Sequence, residues 1–263
     1  MTTAPLARAP EAMADARVPL TVVIPALNEA HQIAECVRHI GWADEILVVD
    51  GGSADATVAL AREAGATVLD GHNVTIASQR NMAIARARNA WVLALDADER
   101  VTDELRAEIE EVLRAPAHRA YRIRRQNYYL GRELTRGRWG KDWVLRLFTR
   151  DLRYTERRVH ESVQHAGPTG RLGASLRHTP YRDLAHQLEK MNRYARWGAE
   201  DMYEQGRRAS TWHLVTRPLG RFLRAYLLQG AIWDGRHGLV TSVLGGYTAF
   251  LKYAHLWALE RER

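Results

Sequence analysis

Two aspartates one residue apart, Asp96 and Asp98 in LDADE, leave the apolar run Trp91–Asp96 (WVLALD). Alternate residues leaving a strand send their side chains toward a common point. Two carboxylates ~5 Å apart in an effective dielectric of about 20 repel by roughly 3 kcal/mol. A divalent cation removes that repulsion. Mg²⁺ or Mn²⁺ typically takes one or two carboxylates and completes its shell with phosphate oxygens, which stabilises a departing diphosphate. Asp50 ends a second apolar run, Glu45–Asp50 (EILVVD), and is followed by Gly51-Gly52, where backbone can approach a ligand closely. A carboxylate there accepts from a base N–H or a ribose hydroxyl. Glu29 follows a third such run, Leu20–Pro25 (LTVVIP). Arg80, in Ser78-Gln79-Arg80-Asn81, has no evident ion-pair partner nearby in sequence and can reach a base or a phosphate. Each residue also has a purely local reading: Asp50 as a cap of its own turn, Arg80 on a solvated helix face, Asp96 as a loop cap with Asp98 solvated.

These side chains need a frame that brings strand ends together. The first half alternates. Strands are expected at Leu20–Pro25, Glu45–Asp50, Ala66–Leu69 and Trp91–Asp96. Helices are expected at Glu29–Ile40 with Asn28 as cap, Ser53–Ala64 with Ser53 as cap, Ile76–Arg88 and Thr102–Arg114. Continuous apolar strands alternating with helices imply a parallel sheet covered on both faces. In such a sheet ligands bind beyond the carboxyl ends of the strands, where the acidic residues lie. Neither GxGxxG nor GxxxxGK[ST] occurs, which disfavours a dinucleotide fold and a P-loop. After Pro116 the strands Ala120–Tyr129 and Trp143–Thr149 carry interleaved charges, with shorter strands at Glu161–Gln164 and Leu172–Arg177. From Asp183 on the chain reads as helices, Asp183–Gln205, Trp212–Trp233 and Leu239–Glu260.

The 263 residues suffice for one large domain with a substantial core, and 46% hydrophobic against 26% charged residues excludes a disordered chain. The lone Cys36 excludes an internal disulfide framework and a cysteine zinc site, and fits a reducing compartment. Charge is uneven. Residues 1–118 carry 10 Arg against 18 acidic side chains (−8), and residues 119–263 carry 28 basic against 13 acidic ones (+15), giving the net +7. A basic second half suits an anionic membrane, a phosphorylated substrate or nucleic acid. The last lacks a zinc motif or an aromatic RNA-binding strand and leaves the acidic strand ends unexplained. Met1–Arg17 has no apolar core run and reads as a flexible tail rather than a signal peptide. Arg217, Arg221 and Arg224 share a helix face, with Val215, Leu219, Phe222 and Tyr226 roughly opposite, an amphipathic basic helix suited to a membrane surface or to packing on the rest of the protein.

VVIPALNEA (Val22–Ala30), VVDGGSADAT (Val48–Thr57), ASQRN (Ala77–Asn81) and LDADE (Leu95–Glu99), in this order and spacing, resemble the family 2 glycosyltransferases of GT-A fold over residues 20–115. GRWGKDWVLRLFTR (Gly137–Arg150) and RRVHESV (Arg157–Val163) are similar to the bacterial branch that adds glucose to the lipopolysaccharide inner core. The resemblance implies an α/β fold of GT-A type, Rossmann-like, with a mostly parallel central sheet, flanking helices and a C-terminal helical extension. It divides the chain into a tail at 1–18, a catalytic domain at 19–180 (donor half 19–115, acceptor half 116–180) and a basic helical extension at 181–263. It implies a UDP-sugar donor contacted by Pro25, Glu29, Asp50, Arg80 and Asp96. Mg²⁺ or Mn²⁺ would be held by Asp98 with Asp96, and transfer would invert the anomeric centre. The acceptor base is expected to be Glu161, beside the basic Arg157 and Arg158, with Asp142 in reserve. His160, Asp142 and Trp143 are the expected acceptor contacts. Arg193 stands where the processive synthases have the Gln of Q-x-x-R-W, ahead of Arg196-Trp197, so one sugar per acceptor is expected. A lipid-linked acceptor would place the protein in the cytoplasm, peripheral on the inner face of the membrane, with no nucleic-acid partner. The alternatives are a polyprenyl-phosphate, capsule or protein glycan acceptor, and a non-catalytic nucleotide-sugar binder.

Overall fold

The computed structural model describes residues 18–155 and 162–262. The donor half folds as β1 (Val18–Ala26), α1 (Ile33–His39), β2 (Ala43–Asp50), α2 (Thr57–Glu63), β3 (Thr67–Asp70), α3 (Ile76–Arg86), β4 (Trp91–Ala94), β5 (Glu99–Val101) and α4 (Asp103–Arg114). The remainder is β6 (Ala120–Tyr129), β7 (Arg132–Glu133), the single turn α5 (Gly137–Gly140), β8 (Trp143–Thr149), β9 (Gly170–His178) and the helices α6 (Leu184–Glu204), α7 (Thr211–Leu223) and α8 (Gly235–Glu262). One nine-stranded sheet runs β3-β2-β1-β4-β8-β6-β9-β5, with β7 on β6. The first four strands are parallel, as the apolar runs predict, and the ladder turns antiparallel at β8. Alternation along β1 feeds two layers. Val22 and Ile24 pack with Ile33, Val37, Leu105 and Ile109, while Val23 packs with Ala77 and Ile84 on the other face. Each fully buried Leu or Ile contributes roughly 1.5–3 kcal/mol.

The sheet curls. Four ladders of about 4.8 Å would put β4 and β5 roughly 19 Å apart in a flat sheet. Yet only Leu95–Asp98 joins them, and Glu99 N–H donates to the Asp96 carbonyl (3.0 Å), so the link is a tight turn. Arg146 on β8 correspondingly reaches Glu99 on β5 at 2.7 Å. The inner face of this curl is polar and lies beyond the carboxyl ends of β1, β2 and β4.

Two expected caps act differently. Asn28 takes a left-handed φ of 56° and accepts from Ala54 N–H (2.9 Å), and its own N–H donates to Ser53 Oγ (2.8 Å). Their side chains join the loops after β1 and β2, so the two helices begin later, at Ile33 and Thr57. The expected strand to Asp96 stops at Ala94, because the chain turns to close the curl. Of the expected strand at 161–164, Val163 bridges Tyr154, and Glu161 lies outside the described residues. The single helix expected over Trp212–Trp233 is broken after Leu223. A wide turn over Arg224–Leu228 closes on Gln229 N–H to Arg224 C=O (2.9 Å), and Gly230 at φ 76° ends it. A short 3₁₀ turn, Ala231–Asp234, then leads into α8.

Candidate active site

Strand register sets the floor of the site. Ala26 is level with Asp50, and Leu95 N–H donates to Val23 C=O (3.0 Å), so the ends of β2, β1 and β4 open on one edge. Asp50 turns its carboxylate onto its own loop, accepting from Gly52 N–H (3.1 Å) and Ser53 N–H (3.0 Å). Gly52 makes this turn at φ 97°, where L side chains are strained. A carboxylate has about four acceptor positions, so Asp50 keeps acceptor capacity. Pro25 lies one residue before the end of β1. Glu29 accepts from Gln32 Nε2 (2.7 Å), and its pKa is raised by burial, the Asp98 charge adding to the effect.

Asp96 is paired with two cations. Arg80 Nη2 donates to Oδ1 (2.5 Å), and Arg146 donates to Oδ2. Burial favours the neutral acid, but Arg146 and Arg80 overcome it and hold the carboxyl well below the usual range. Arg80 is buried and also stacks on the Tyr154 ring, 4.9 Å from its centroid. Glu99, wholly buried, accepts from Arg146 (2.7 Å), Arg125 (3.4 Å) and the Asp96 N–H (2.9 Å). The sequence pairs Asp96 with Asp98 around one ion, and in this structure each Asp96 oxygen has a guanidinium partner.

Asp98 is different. Its Oδ2 lies 3.6 Å from Lys190 Nζ on α6, while Oδ1 is buried without a hydrogen-bond partner, 3.5 Å from His178 Nε2. Burial raises the Asp98 pKa, but His178 and then Lys190 pull it below the ordinary value, and Asp98 in return raises that of Lys190. Asn127 fixes the imidazole. Its Nδ2 donates to Trp139 C=O (2.6 Å), so its Oδ1 must accept from His178 Nδ1 (2.6 Å). In its neutral form the ring would present a lone pair at Nε2. One carboxylate oxygen and one imidazole nitrogen 3.5 Å apart are chemically able to share a divalent cation that keeps its remaining positions for phosphate. Among the described residues no group of three or more His, Cys, Asp or Glu could hold a metal ion, so such a site would be an open one. His178, Lys190, Arg146 and Glu99 escape the sequence reading, the first two because β9 and α6 are remote in sequence. Arg146 does leave a trace, a cation inside the otherwise apolar VLRLF.

The glycosyl transferase family 2 profile matches residues 21–172, more than half of the chain. The chain is a family 2 glycosyltransferase. The lipopolysaccharide core biosynthesis glycosyltransferase LpsC of Rhizobium meliloti is 30% identical over 251 residues, covering 92% of this chain and 93% of the relative. An uncharacterized glycosyltransferase of Rickettsia typhi is 28% identical over 243 residues, 87% of this chain and 83% of that one. Among solved structures, S. aureus TarS in complex with UDP-GlcNAc superposes with a TM-score of 0.50 at 14% identity, over 92% of this chain and 90% of that one, a likeness of fold.

A cavity of about 370 Å³ lies beside His178, lined also by Arg125, Asp142, Trp139, Tyr181 and Gln187. Arg125 Nε (2.8 Å) and Nη2 (2.7 Å) both donate to the one Asp142 oxygen Oδ2, which fixes the orientation of the carboxylate. Trp143 lies under the Arg171 guanidinium, 5.3 Å from the ring centroid, and is not among the residues lining this cavity; Trp139 is. Glu161 and His160 fall outside the described residues.

Proposed function

We propose that this enzyme transfers a hexose, glucose first among the options, from a UDP-sugar to a lipopolysaccharide inner-core or related glycolipid acceptor, with inversion. The acceptor class is supported by the Rhizobium meliloti relative, which is named for lipopolysaccharide core biosynthesis. A polyprenyl-phosphate, capsule or protein glycan is the other acceptor class. The observation that carries the donor reading is the unpartnered Asp98 Oδ1 facing His178 Nε2. These two atoms would hold Mg²⁺ or Mn²⁺, which when bound offsets the charge of the departing diphosphate. Pro25, Glu29 and Asp50 would line the nucleotide side. Arg80 and Arg146 act through Asp96, keeping the turn before Asp98 rigid. Glu161 is the proposed base that takes the proton of the attacking hydroxyl, with Asp142 in reserve. His160 is the proposed acceptor contact.

We further propose that the helices hold the enzyme on an anionic membrane surface. No helix among the described residues is long and apolar enough to cross a membrane. Instead α7 buries no residue, and Trp212, Leu228 and Trp233 are 73%, 83% and 77% exposed beside arginines. Tryptophan and arginine beside exposed leucine suit the interfacial plane of a bilayer.

The test is the melting temperature with UDP-glucose, UDP-galactose and UDP-GlcNAc, each with Mn²⁺ and with chelator. A donor at 100 times its Kd adds about 2.7 kcal/mol. UDP-glucose with Mn²⁺ is expected to stabilise most, chelation to shrink the shift, and Asp98→Asn to remove its Mn²⁺-dependent part. If no UDP-sugar stabilises the protein, the donor reading falls.

A further inference from the structure

A second cavity, of about 880 Å³, lies between α7 and α8 and adjoins the first: Trp139, Arg221, Thr241 and Gly245 line both. Its walls carry Arg217, Arg221 and Arg224 from α7 and Lys252 from α8, and none of the described residues lining it is acidic. The three arginines, spaced 4 and 3 residues apart, lie on one side of the helix and face α8. Glycine hollows the space: a Cβ at Gly220 would meet nothing within 4 Å, and one at Gly245 only Arg221 Nε at 3.8 Å. Burial, and then Arg221, Arg207 and Arg217, push Lys252 below the ordinary lysine range, so like charges are gathered here. Guanidinium forks match phosphate oxygens two at a time. The tryptophans Trp139 and Trp212 add flat apolar walls of the kind a sugar ring packs on.

We propose that this cavity is a subsite for a phosphomonoester carried on a sugar, a part of the acceptor remote from the hydroxyl that is glycosylated. The recognition of a sugar phosphate stands on the cavity itself, and its assignment to the acceptor rests on the function proposed above. The continuity of the two cavities lets one acceptor span both, with its phosphate held by α7 and α8 and its hydroxyl beside His178. A phospholipid headgroup offers the same phosphate chemistry and is the competing source.

Titration calorimetry on the full chain separates them, with glucose 6-phosphate, glucose, inorganic phosphate and phosphatidylglycerol vesicles as probes and UDP as an independent readout. Glucose 6-phosphate is expected to bind saturably and more tightly than glucose or phosphate. The double variant Arg217→Gln with Arg224→Gln should weaken that binding at least tenfold. So should Gly220→Leu, which fills the space, keeps every charge and favours the helix. UDP affinity should be unchanged in both. The subsite is overturned if glucose 6-phosphate binds no better than glucose, or if both variants bind it like the parent. The acceptor assignment is overturned if vesicles alone bind in a Gly220-dependent manner. Loss of UDP binding in the parent chain bears on the proposed donor and leaves the sugar-phosphate result readable.

Discussion

The Asp96 carboxylate shows how an acidic motif can hold a site together through its cationic partners. It neutralises Arg80 and Arg146, two buried guanidinium groups. Removing one partner of such a cluster leaves charge uncompensated, which costs about 3 kcal/mol. Asp96→Asn is therefore expected to lower the urea midpoint at pH 7 by that order. The folded pKa is depressed, so the carboxylate's stabilisation is complete above the unfolded value near pH 4 and fades as pH falls below it. The variant should accordingly lose less stability on acidification than the parent. At this scale the sequence was only partly readable. Asp50, Asp96 and Asp98 all lie at the mouth predicted for them, since strand ends can be found from apolar runs. The partners of Asp98 were hidden, because His178 lies on β9, the strand paired with β5, and Lys190 on α6, both remote in sequence.

Elements of the donor half follow periodicity closely, and Thr75 and Thr102 cap α3 and α4 by accepting from Ser78 and Leu105 N–H. The caps that misled, Asn28 and Ser53, are polar residues whose hydrogen bonds go across to another loop, a choice local propensity does not reveal. The helical region was legible as helices but not in its breaks. There, close backbone approach governs. A Cβ at Gly238 would lie 1.7 Å from the Ala231 carbonyl, where α8 leaves the preceding turn. That turn is buttressed by Asp234, which accepts from Thr135 Oγ1 (3.2 Å) and Arg136 N–H (3.2 Å) and so ties the extension to the loop before α5. Gly238→Ala is expected to destabilise by about 1–3 kcal/mol, the range for overpacking. Gly65→Ala, which has open space but a left-handed φ of 102°, should lose less, near 1 kcal/mol. Thermal denaturation of the pair distinguishes crowding from backbone strain.

Across the whole molecule, the −8 of residues 1–118 and the +15 of residues 119–263 set an acidic donor half against a basic remainder of which the helices are one part. What the sequence did not show was that α7 leaves its apolar side exposed rather than packing it on the catalytic sheet. Amphipathicity is the same in either arrangement, so only the fold separates them. The protein is expected to pellet with phosphatidylglycerol vesicles at low ionic strength and to be released in part by salt, which screens the arginines. Leu228→Ser with Trp233→Ser should abolish the fraction that resists salt. Failure of the parent chain to pellet at any salt concentration would remove the membrane proposal.

The short link Leu95–Asp98 has one more consequence. It works as a clasp, fastening the end of a parallel strand to the far rim of the same sheet, and it carries both aspartates. Asp98 is tied to β9, where Glu99 pairs with His178 and Thr179 N–H donates to the Asp98 carbonyl (3.0 Å), so widening the curl would carry the Asp98–His178 pair away from the ends of β1 and β2.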